Sequence, residues 1–308
     1  MSQNEHRYFI LDVFTKELFA GNQLAVVLDS DDLSDEQMQK IAREFNFSET
    51  VFVCQPENKA HNASLRIFTP AYELPFAGHP TVGTAVLLGF LRFPDLEGEQ
   101  NCVMLLEEKV GRIRAKVKLS AEGLGKAVFE VPQLSKPLSS VKLGSKDEIA
   151  AALGLHIKDI GFENHVPTAY TAGVPFAMVP IRNLEAMKRA HPVMPSWSTA
   201  FGAHEHNDAY LYTRETVCHS SNFHTRMFAP GMGITEDPAT GSAAAAFAGV
   251  ICQFDKPGQG SHRYSIEQGF EMDRPSIIEL GLEVSEGRLS SETVGGRVVL
   301  VSEGKLYI

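Results

Sequence analysis

The sequence predicts an α+β protein made of two homologous halves, each with a β-sheet wrapped around one buried α-helix. Three observations predict this architecture. Strand-like apolar runs follow one another with few helices between them, which favours antiparallel or mixed sheet over alternating βαβ units. One segment of the first half is similar to a segment of the second half. The helix in each of these segments is apolar on every side, as is typical of a helix inside a core.

The first half contains a helix and a series of strands in a clear order. Apolar and β-branched runs predict strands at residues 8–14, 23–28, 50–54, 66–68, 103–106, 111–119 and 127–131. Between the second and third strands, Ser34 and Gln37 have the spacing of a capping box. Apolar residues at helical spacing follow them, so a helix is expected to end near Asn46.

The internal similarity joins residues 65–89 to residues 225–249. Both segments contain a strand, a loop that begins with proline, the pattern Pro-Xaa-Xaa-Gly and a helix of small residues. The matched positions are Arg66, Phe68 and Pro70 with Arg226, Phe228 and Pro230, at an offset of 160, and Pro80, Gly83 and Ala85 with Pro238, Gly241 and Ala243, at an offset of 158. Similarity of this kind predicts a duplicated domain. The halves are predicted at residues 1–131 and 132–308, with the last strand able to return to the first half.

The two apolar helices, predicted at residues 81–91 and 240–252, also suggest where a ligand binds. The first N–H groups of a helix have no partner within the helix. If a pseudo-twofold axis relates the halves, both helix N-termini point into one cleft between them. Glycines such as Gly78 and Gly241 leave these donors accessible. Two helix N-termini in one cleft suit a small molecule that carries a carboxylate.

Three side chains near these helices are candidates for acid–base chemistry. Glu49 is flanked by core-type residues, and desolvation of such a carboxyl raises its pKa toward that of a general base. A solvated carboxylate at the start of a strand is the alternative, and local context favours it. His79 and Asp237 each precede the proline of a matched segment, where they either transfer protons or start a helix. Asp at an N-cap followed by proline is the favoured interpretation for Asp237. Ser242 is either a ligand contact or a hydroxyl within a helical turn.

Other classes of protein and site have little support. His204, Glu205 and His206, with Asp208 nearby, suggest a metal site, but the segment is typical of a loop and no metal is expected. The dinucleotide, Walker A and nucleophile-elbow motifs are absent from the sequence, so no cofactor is expected. A net charge of −10 disfavours nucleic acid and anionic membranes as partners. Four widely separated cysteines and no signal or transmembrane segment predict a cytoplasmic protein with reduced thiols.

Three longer motifs carry a family resemblance. They are SETVFV at residues 48–53, RIFTP with ELPFAGHPT within residues 66–81, and EDPATGSAA at residues 236–244. In this order they resemble the motifs of the phenazine-biosynthesis PhzF-like family, which has the diaminopimelate-epimerase-like fold. The resemblance extends from about Tyr8 to the C-terminal strand. It implies two similar domains, each a twisted, mostly antiparallel, barrel-like sheet around a central helix, with the active-site cleft between them.

The resemblance also implies roles for individual residues. In the phenazine enzyme of this family, the glutamate of the SET motif moves a proton between two carbons of a dihydro-hydroxyanthranilate. That glutamate corresponds to Glu49, and His79, Asp237 and Ser242 correspond to residues that line the cleft. Related epimerases use a cysteine at each helix start, where this chain has Gly78 and Asp237. A mechanism with two thiols is therefore not expected.

The function expected from these observations is that of a cofactor-independent isomerase or epimerase acting on a small carboxylic acid. Glu49 would move the proton, His79 and Asp237 would bind or relay, and the amides near Gly78 and Gly241 would hold the carboxylate. The resemblance implies a homodimer. A non-catalytic protein that binds a small acid or acts as a scaffold is the alternative, and a hydrolase or lyase with the same acid–base pair is a third possibility.

Overall fold

The computed structural model describes residues 4–120, 123–202, 207–232 and 234–308. The chain divides into two compact units. The first contains the residues up to Glu130 together with Gly295–Ile308, and the second contains Val131–Val294. The long last strand therefore contributes residues to both units. Within the described residues, no helix is long and apolar enough to span a membrane.

The first unit consists of strands around one central helix, with a second helix outside. Its strands are β1 (Glu5–Val13), β2 (Asn22–Val27), β3 (Glu49–Cys54), β4 (Ala63–Phe68), β5 (Glu73–Leu74), β6 (Glu99–Glu108), β7 (Gly111–Ser120) and β8 (Gly123–Glu130). Its helices are α1 (Asp35–Phe45) and α2 (Gly78–Arg92). These elements confirm the predicted strands and the predicted helix, which ends at Phe45 with Asn46 as its C-cap, and they add the short strand β5, which was not predicted. The Ser34 hydroxyl accepts the amide of Gln37, and the Gln37 side chain accepts the amide of Ser34, which confirms the capping box.

The second unit contains the remaining elements. Its strands are β9 (Lys136–Pro137), β10 (Thr168–Thr171), β11 (Pro175–Pro180), β12 (Ala209–Thr213), β13 (Phe223–Ala229), β14 (Ile234–Asp237), β15 (Gly260–Gln268), β16 (Ser276–Ser285) and the first part of β17 (Arg288–Tyr307). Its helices are α3 (Lys146–Ala152), α4 (Leu184–Arg189), α5 (Met194–Phe201) and α6 (Gly241–Phe254). The protein is therefore α+β and mostly strands.

The strands of the first unit form a closed, mixed sheet of eight strands. Neighbours pair in the order β1, β2, β3, β4, β6, β7, β8 and β17, and β17 pairs with β1 again. The pairs β2–β3 and β4–β6 are parallel. The pairs of β1 with β2 and β17, β3 with β4, β6 with β7 and β7 with β8 are antiparallel. Closure leaves these eight strands without a free edge, which is how a barrel avoids unpaired backbone groups.

The second unit repeats this order of pairing. Its strands pair in the order β10, β11, β12, β13, β15 and β16, with β9 beside β10. The pairs β11–β12 and β13–β15 are parallel, in the places where β2–β3 and β4–β6 are parallel in the first unit. In each unit a short strand also pairs antiparallel with the strand that carries the repeated arginine, β5 with β4 and β14 with β13. The same topology in both units supports a duplicated domain.

The central helix of each unit is buried, as its apolar sequence predicts. Helix α2 contacts β1, β2, β3, β6, β7 and β8, and α6 contacts β9, β10, β11 and β16. Eleven of the 15 residues of α2 and ten of the 14 residues of α6 are buried, and the exposed ones lie in the last turns. Gly83 allows the close approach of α2 to the sheet, because a Cβ there would lie 2.6 Å from Leu24 Cδ2 and 2.9 Å from Val13 Cγ2. The predicted helices at residues 81–91 and 240–252 correspond to α2 and α6.

Polar contacts also repeat between the units, and they extend the duplication beyond the segment found in the sequence. Glu107 on β6 accepts the amides of residues 57 and 58, and Glu267 on β15 accepts those of residues 217 and 218. Asn62 and Asn222 each accept an amide of the strand beside them, at 2.8 Å. These pairs keep the offset of 160 found for the arginines. The repeat therefore covers the turn that precedes β4 and β13 as well.

Candidate active site

Glu49 and His79 lie together in the first unit. Glu49 is the first residue of β3, which pairs in parallel with β2. His79 lies in the first turn of α2, the central helix. The distance between His79 Nδ1 and Glu49 Oε2 is 3.4 Å, and the two side chains are 4% and 16% exposed. Two titratable groups, predicted separately from their motifs, therefore form one largely buried pair.

The protonation of His79 follows from its two neighbours. His79 Nε2 lies 3.2 Å from the carbonyl oxygen of Gln23, which can only accept, so Nε2 carries the proton. Burial lowers the pKa of His79 to about 3, and the hydrogen bond to Gln23 opposes this only in part. The imidazole is therefore neutral near pH 7. Its Nδ1 then faces Glu49 with a lone pair, which can accept a hydrogen bond from that carboxyl group when the group is protonated.

Asp237 lies in the second unit at the end of β14, not at the start of a helix. The N-cap of α6 is Thr240, so the predicted arrangement of Asp237 as N-cap followed by proline at the first helical position is wrong. The physical reason is Gln268 on β15. Its side-chain nitrogen donates to the Asp237 carbonyl at 2.8 Å, and its oxygen accepts the Thr240 amide at 3.1 Å. These two bonds stabilise a non-helical conformation of the intervening residues, so the helix begins only at Gly241.

The Asp237 carboxylate is an acceptor in a short chain of hydrogen bonds. Gln268 Nε2 donates to Thr240 Oγ1 at 3.0 Å, and Thr240 Oγ1 donates to Asp237 Oδ2 at 2.5 Å. The hydroxyl directs its single proton at Asp237, and a donor directed at a carboxyl oxygen favours the ionised form of that group. The second unit therefore has a carboxyl group whose charged form is stabilised immediately before its central helix.

Gly78, Gly241 and Ser242 occupy the first turns of the central helices. Gly78 and Gly241 are the first residues of α2 and α6, and Ser242 is partly buried. The backbone ladder of α2 begins with the Thr81 amide donating to residue 77, and that of α6 with the amide of residue 244 donating to Thr240. The amides before these positions lie outside the ladder. They are suited to an anionic group of a substrate.

Two buried carboxyl groups near these residues were not predicted from the sequence. Glu108 is the last residue of β6, and burial raises its pKa to about 8. Asp208 precedes β12, and burial together with the charge of Asp237 raises its pKa to about 7. In the sequence, Asp208 appeared only as a neighbour of a possible metal motif. The motif residues His204, Glu205 and His206 lie outside the described residues, and those described contain no cluster suited to a metal ion.

The geometry around Glu108 agrees with a protonated carboxyl group. Thr81 Oγ1 lies 2.7 Å from Glu108 Oε1 and 2.7 Å from the carbonyl oxygen of Ala77. The hydroxyl has one proton, and the carbonyl can only accept it. When the hydroxyl donates to that carbonyl, a protonated Glu108 can donate to the hydroxyl, and both contacts are then satisfied. At the equivalent position of the second unit stands Gln268, whose side chain is neutral at every pH.

We expect Glu108→Gln to stabilise the protein increasingly as the pH rises. The native state keeps a proton that the unfolded state releases, so the wild-type free energy of unfolding falls between about pH 4.5 and about pH 8. At pH 7 the loss is about 3 kcal/mol. Urea unfolding at pH 5.5 and at pH 8 measures the difference between the two proteins. Equal pH dependence in both would contradict a protonated Glu108.

Comparison with known proteins identifies the family of this fold and these motifs. Residues 11–304 match the model of the PhzC-PhzF family, described as phenazine biosynthesis-like protein. The chain belongs to the PhzC-PhzF family. An uncharacterized isomerase of Mesorhizobium japonicum is 48% identical, over 98% of this chain and 98% of the relative. The trans-2,3-dihydro-3-hydroxyanthranilate isomerase of Pseudomonas aeruginosa is 33% identical, over 98% of this chain and 100% of the relative. This chain is an isomerase of the same family.

Solved structures agree with this assignment. The crystal structure of the Bacillus anthracis phenazine biosynthesis protein of the PhzF family has a TM-score of 0.85 and 26% identity. It covers 99% of this chain and 100% of the other. A hydroxyproline epimerase from Agrobacterium vitis has a TM-score of 0.64 at 12% identity, covering 99% of this chain and 92% of the other. This second likeness shows that the PhzF-family fold is shared with epimerases.

Proposed function

We propose that this PhzF-family protein is a cofactor-independent isomerase that moves a proton on a small carboxylic acid by general acid–base catalysis. The reaction resembles the one named for the 33% identical relative, a trans-2,3-dihydro-3-hydroxyanthranilate isomerase. The observation that carries the proposal is the buried pair of Glu49 and His79, 3.4 Å apart. A carboxyl group beside a neutral imidazole can take a proton from carbon and return it at another position.

Glu49 is the residue proposed to move the proton. It abstracts a proton from the carbon α or vinylogous to the substrate carboxylate or carbonyl group. His79 remains neutral near pH 7 because its pKa is about 3. It therefore does not form an ion pair with the Glu49 carboxylate. Its Nδ1 accepts a hydrogen bond from the protonated Glu49 carboxyl. The imidazole thereby holds the acid in place until the proton returns to the substrate.

The helix N-termini are proposed to bind the substrate carboxylate. The amides near Gly78 and those of Gly241 and Ser242 precede the helical ladders, and the positive end of a helix dipole favours an anion. The same donors stabilise the charge that develops when a carbon next to the carboxylate loses its proton. Asp237 is proposed to contact a polar group of the substrate. We further propose that the protein acts as a homodimer, which light scattering would test.

Solvent-deuterium incorporation tests the proposed reaction. The purified protein is incubated in D₂O with a panel of small cyclic and amino carboxylic acids, and mass spectrometry measures the label in each. We expect one compound to gain deuterium with the wild type and none to gain it with Glu49→Gln. Release of water or ammonia instead would indicate a lyase or hydrolase. Binding without exchange in native mass spectrometry would contradict catalysis of proton transfer.

A further inference from the structure

Strand register aligns the two units residue by residue at the start of β3 and β12. Thr50 on β3 pairs with Phe68 on β4. Ala209 on β12 pairs with Phe228 on β13, and Phe228 matches Phe68 in the repeated Arg-Xaa-Phe motif. Thr50 and Ala209 therefore occupy equivalent positions. The residues immediately before them are equivalent too.

These preceding residues are Glu49 in the first unit and Asp208 in the second. Each carboxyl group therefore stands at the entry of the strand that pairs in parallel with its neighbour, β3 with β2 and β12 with β11. His79, which precedes the matched proline of the first unit, lies 3.4 Å from Glu49. Asp237, which precedes that of the second, pairs with Met227 on β13, next to Phe228, the partner of Ala209. Asp208 and Asp237 therefore lie at the ends of two strands that both pair with the same part of β13. The duplication has kept a carboxyl group at one position while changing its partner from an imidazole to a second carboxyl.

Asp208 has the surroundings of a carboxyl group that keeps its proton. Its side chain is buried, with 1% of the residue exposed, and its Oδ1 has no hydrogen-bond partner within the described residues. It lines a cavity of about 420 Å³ whose other described lining residues are not titratable. Asp237 is the carboxylate whose charge acts on it. An ionised Asp208 would be desolvated and repelled at the same time.

Asp237 is also buried, with 6% of the residue exposed, but it has a hydrogen-bond donor. The Thr240 hydroxyl donates to it, and Gln268 orients that hydroxyl through a bond of 3.0 Å. A donor directed at a carboxylate stabilises its charged form. When the environments of two carboxyl groups differ in this way, one group stays protonated and the other stays ionised. Here the surroundings favour the protonated form of Asp208 and the ionised form of Asp237.

We propose that Asp208 holds the proton of this pair and is a positioning residue for Asp237, which it allows to remain the charged member of the pair. The catalytic consequence rests on the proposed function, in which Asp237 contacts the substrate. When Asp208 loses its proton, a second negative charge appears beside Asp237 and opposes an anionic substrate. Turnover is therefore expected to fall above about pH 7.

Carboxyl ¹³C NMR titration of the aspartate-labelled protein tests the charge coupling without any substrate. Asp208→Asn and Asp237→Asn assign the two resonances. We expect one aspartate to titrate near pH 7 and to be lost in Asp208→Asn. The Asp237 resonance should show an inflection at the same pH, which disappears in that variant. If every aspartate titrates below pH 5, or if Asp237 shows no inflection near pH 7, the proposal is wrong.

The pH dependence of the exchange reaction tests the positioning role. Asp208→Asn is close in size and neutral at every pH, so we expect it to keep activity at pH 6 within about threefold and to lose the fall above pH 7. Glu292→Gln is the matched control, because Glu292 is another buried carboxyl of the second unit whose pKa burial raises to about 8. The Glu292→Gln variant should keep the fall in exchange rate above pH 7.

An unchanged pH profile of the exchange rate in Asp208→Asn would overturn the positioning role. If the wild type shows no exchange at all, the proposed function fails, and the NMR titration still decides the coupling.

Discussion

Replacing Glu49 by Gln is expected to lower kcat by about 10²–10⁴-fold, since that is the usual contribution of a positioned general base. Glutamine keeps the size of the side chain, and its amide can donate to His79 Nδ1 as the protonated carboxyl does. The pair at 3.4 Å is therefore expected to persist while the ability to accept a proton from carbon is lost. The measurement is the rate of deuterium incorporation into the substrate at saturation, with KM determined for both proteins.

Two comparisons make this result specific. Glu44→Gln on the exposed face of α1 removes the same charge from the first unit and should leave kcat unchanged. Thermal unfolding of Glu49→Gln should stay close to that of the wild type, so that lost activity reports lost chemistry. A Glu49→Gln protein that retains more than about a tenth of the wild-type kcat would exclude Glu49 as the base.

The elements of the fold were predictable because their signals are local. The capping box at Ser34 and the apolar face of α1 lie within a dozen residues of each other, and so do the residues of each predicted strand. Closure of the first sheet has no such signal. It depends on β17 pairing with β1, which joins Glu5 to Tyr307 at opposite ends of the chain. The pairing rests on backbone hydrogen bonds, which any alternating sequence can make.

The candidate site was predictable in part for the same reason. Glu49, His79 and Asp237 stand in motifs, but the distance between Glu49 and His79 depends on how α2 packs inside its sheet. The helix-cap prediction for Asp237 failed because a distant residue, Gln268, determines where α6 begins. Asp208 was missed because no neighbouring residue resembles those around Glu49. The strand register aligns them at an offset of 159, one less than that of the arginine motif.

The arginine of the repeated motif forms the same ion pair in both units, but the two pairs differ in burial. Arg226 forms two bonds with Glu236 at 2.7 and 2.8 Å and donates to two carbonyls near the end of α4. Its side chain is 8% exposed and that of Glu236 is 13% exposed. Arg66 pairs with Glu73 in the same manner but is 26% exposed. Lys109 Nζ also lies 2.6 Å from Glu73.

We expect Arg226→Met to lower the free energy of unfolding by about 3–5 kcal/mol, the usual cost of leaving a buried charge without its partner. Arg66→Met should cost about 1 kcal/mol, because Glu73 keeps its contact with Lys109 and water screens the pair. Denaturant unfolding of the two variants gives the comparison. Glu236→Gln added to Arg226→Met should restore part of the loss, since it removes the orphaned charge. Equal losses at the two arginines would show that burial does not determine the loss in free energy of unfolding.

Glu236 immediately precedes Asp237 on β14, so Arg226→Met should also weaken the exchange reaction, while Arg66→Met changes it little.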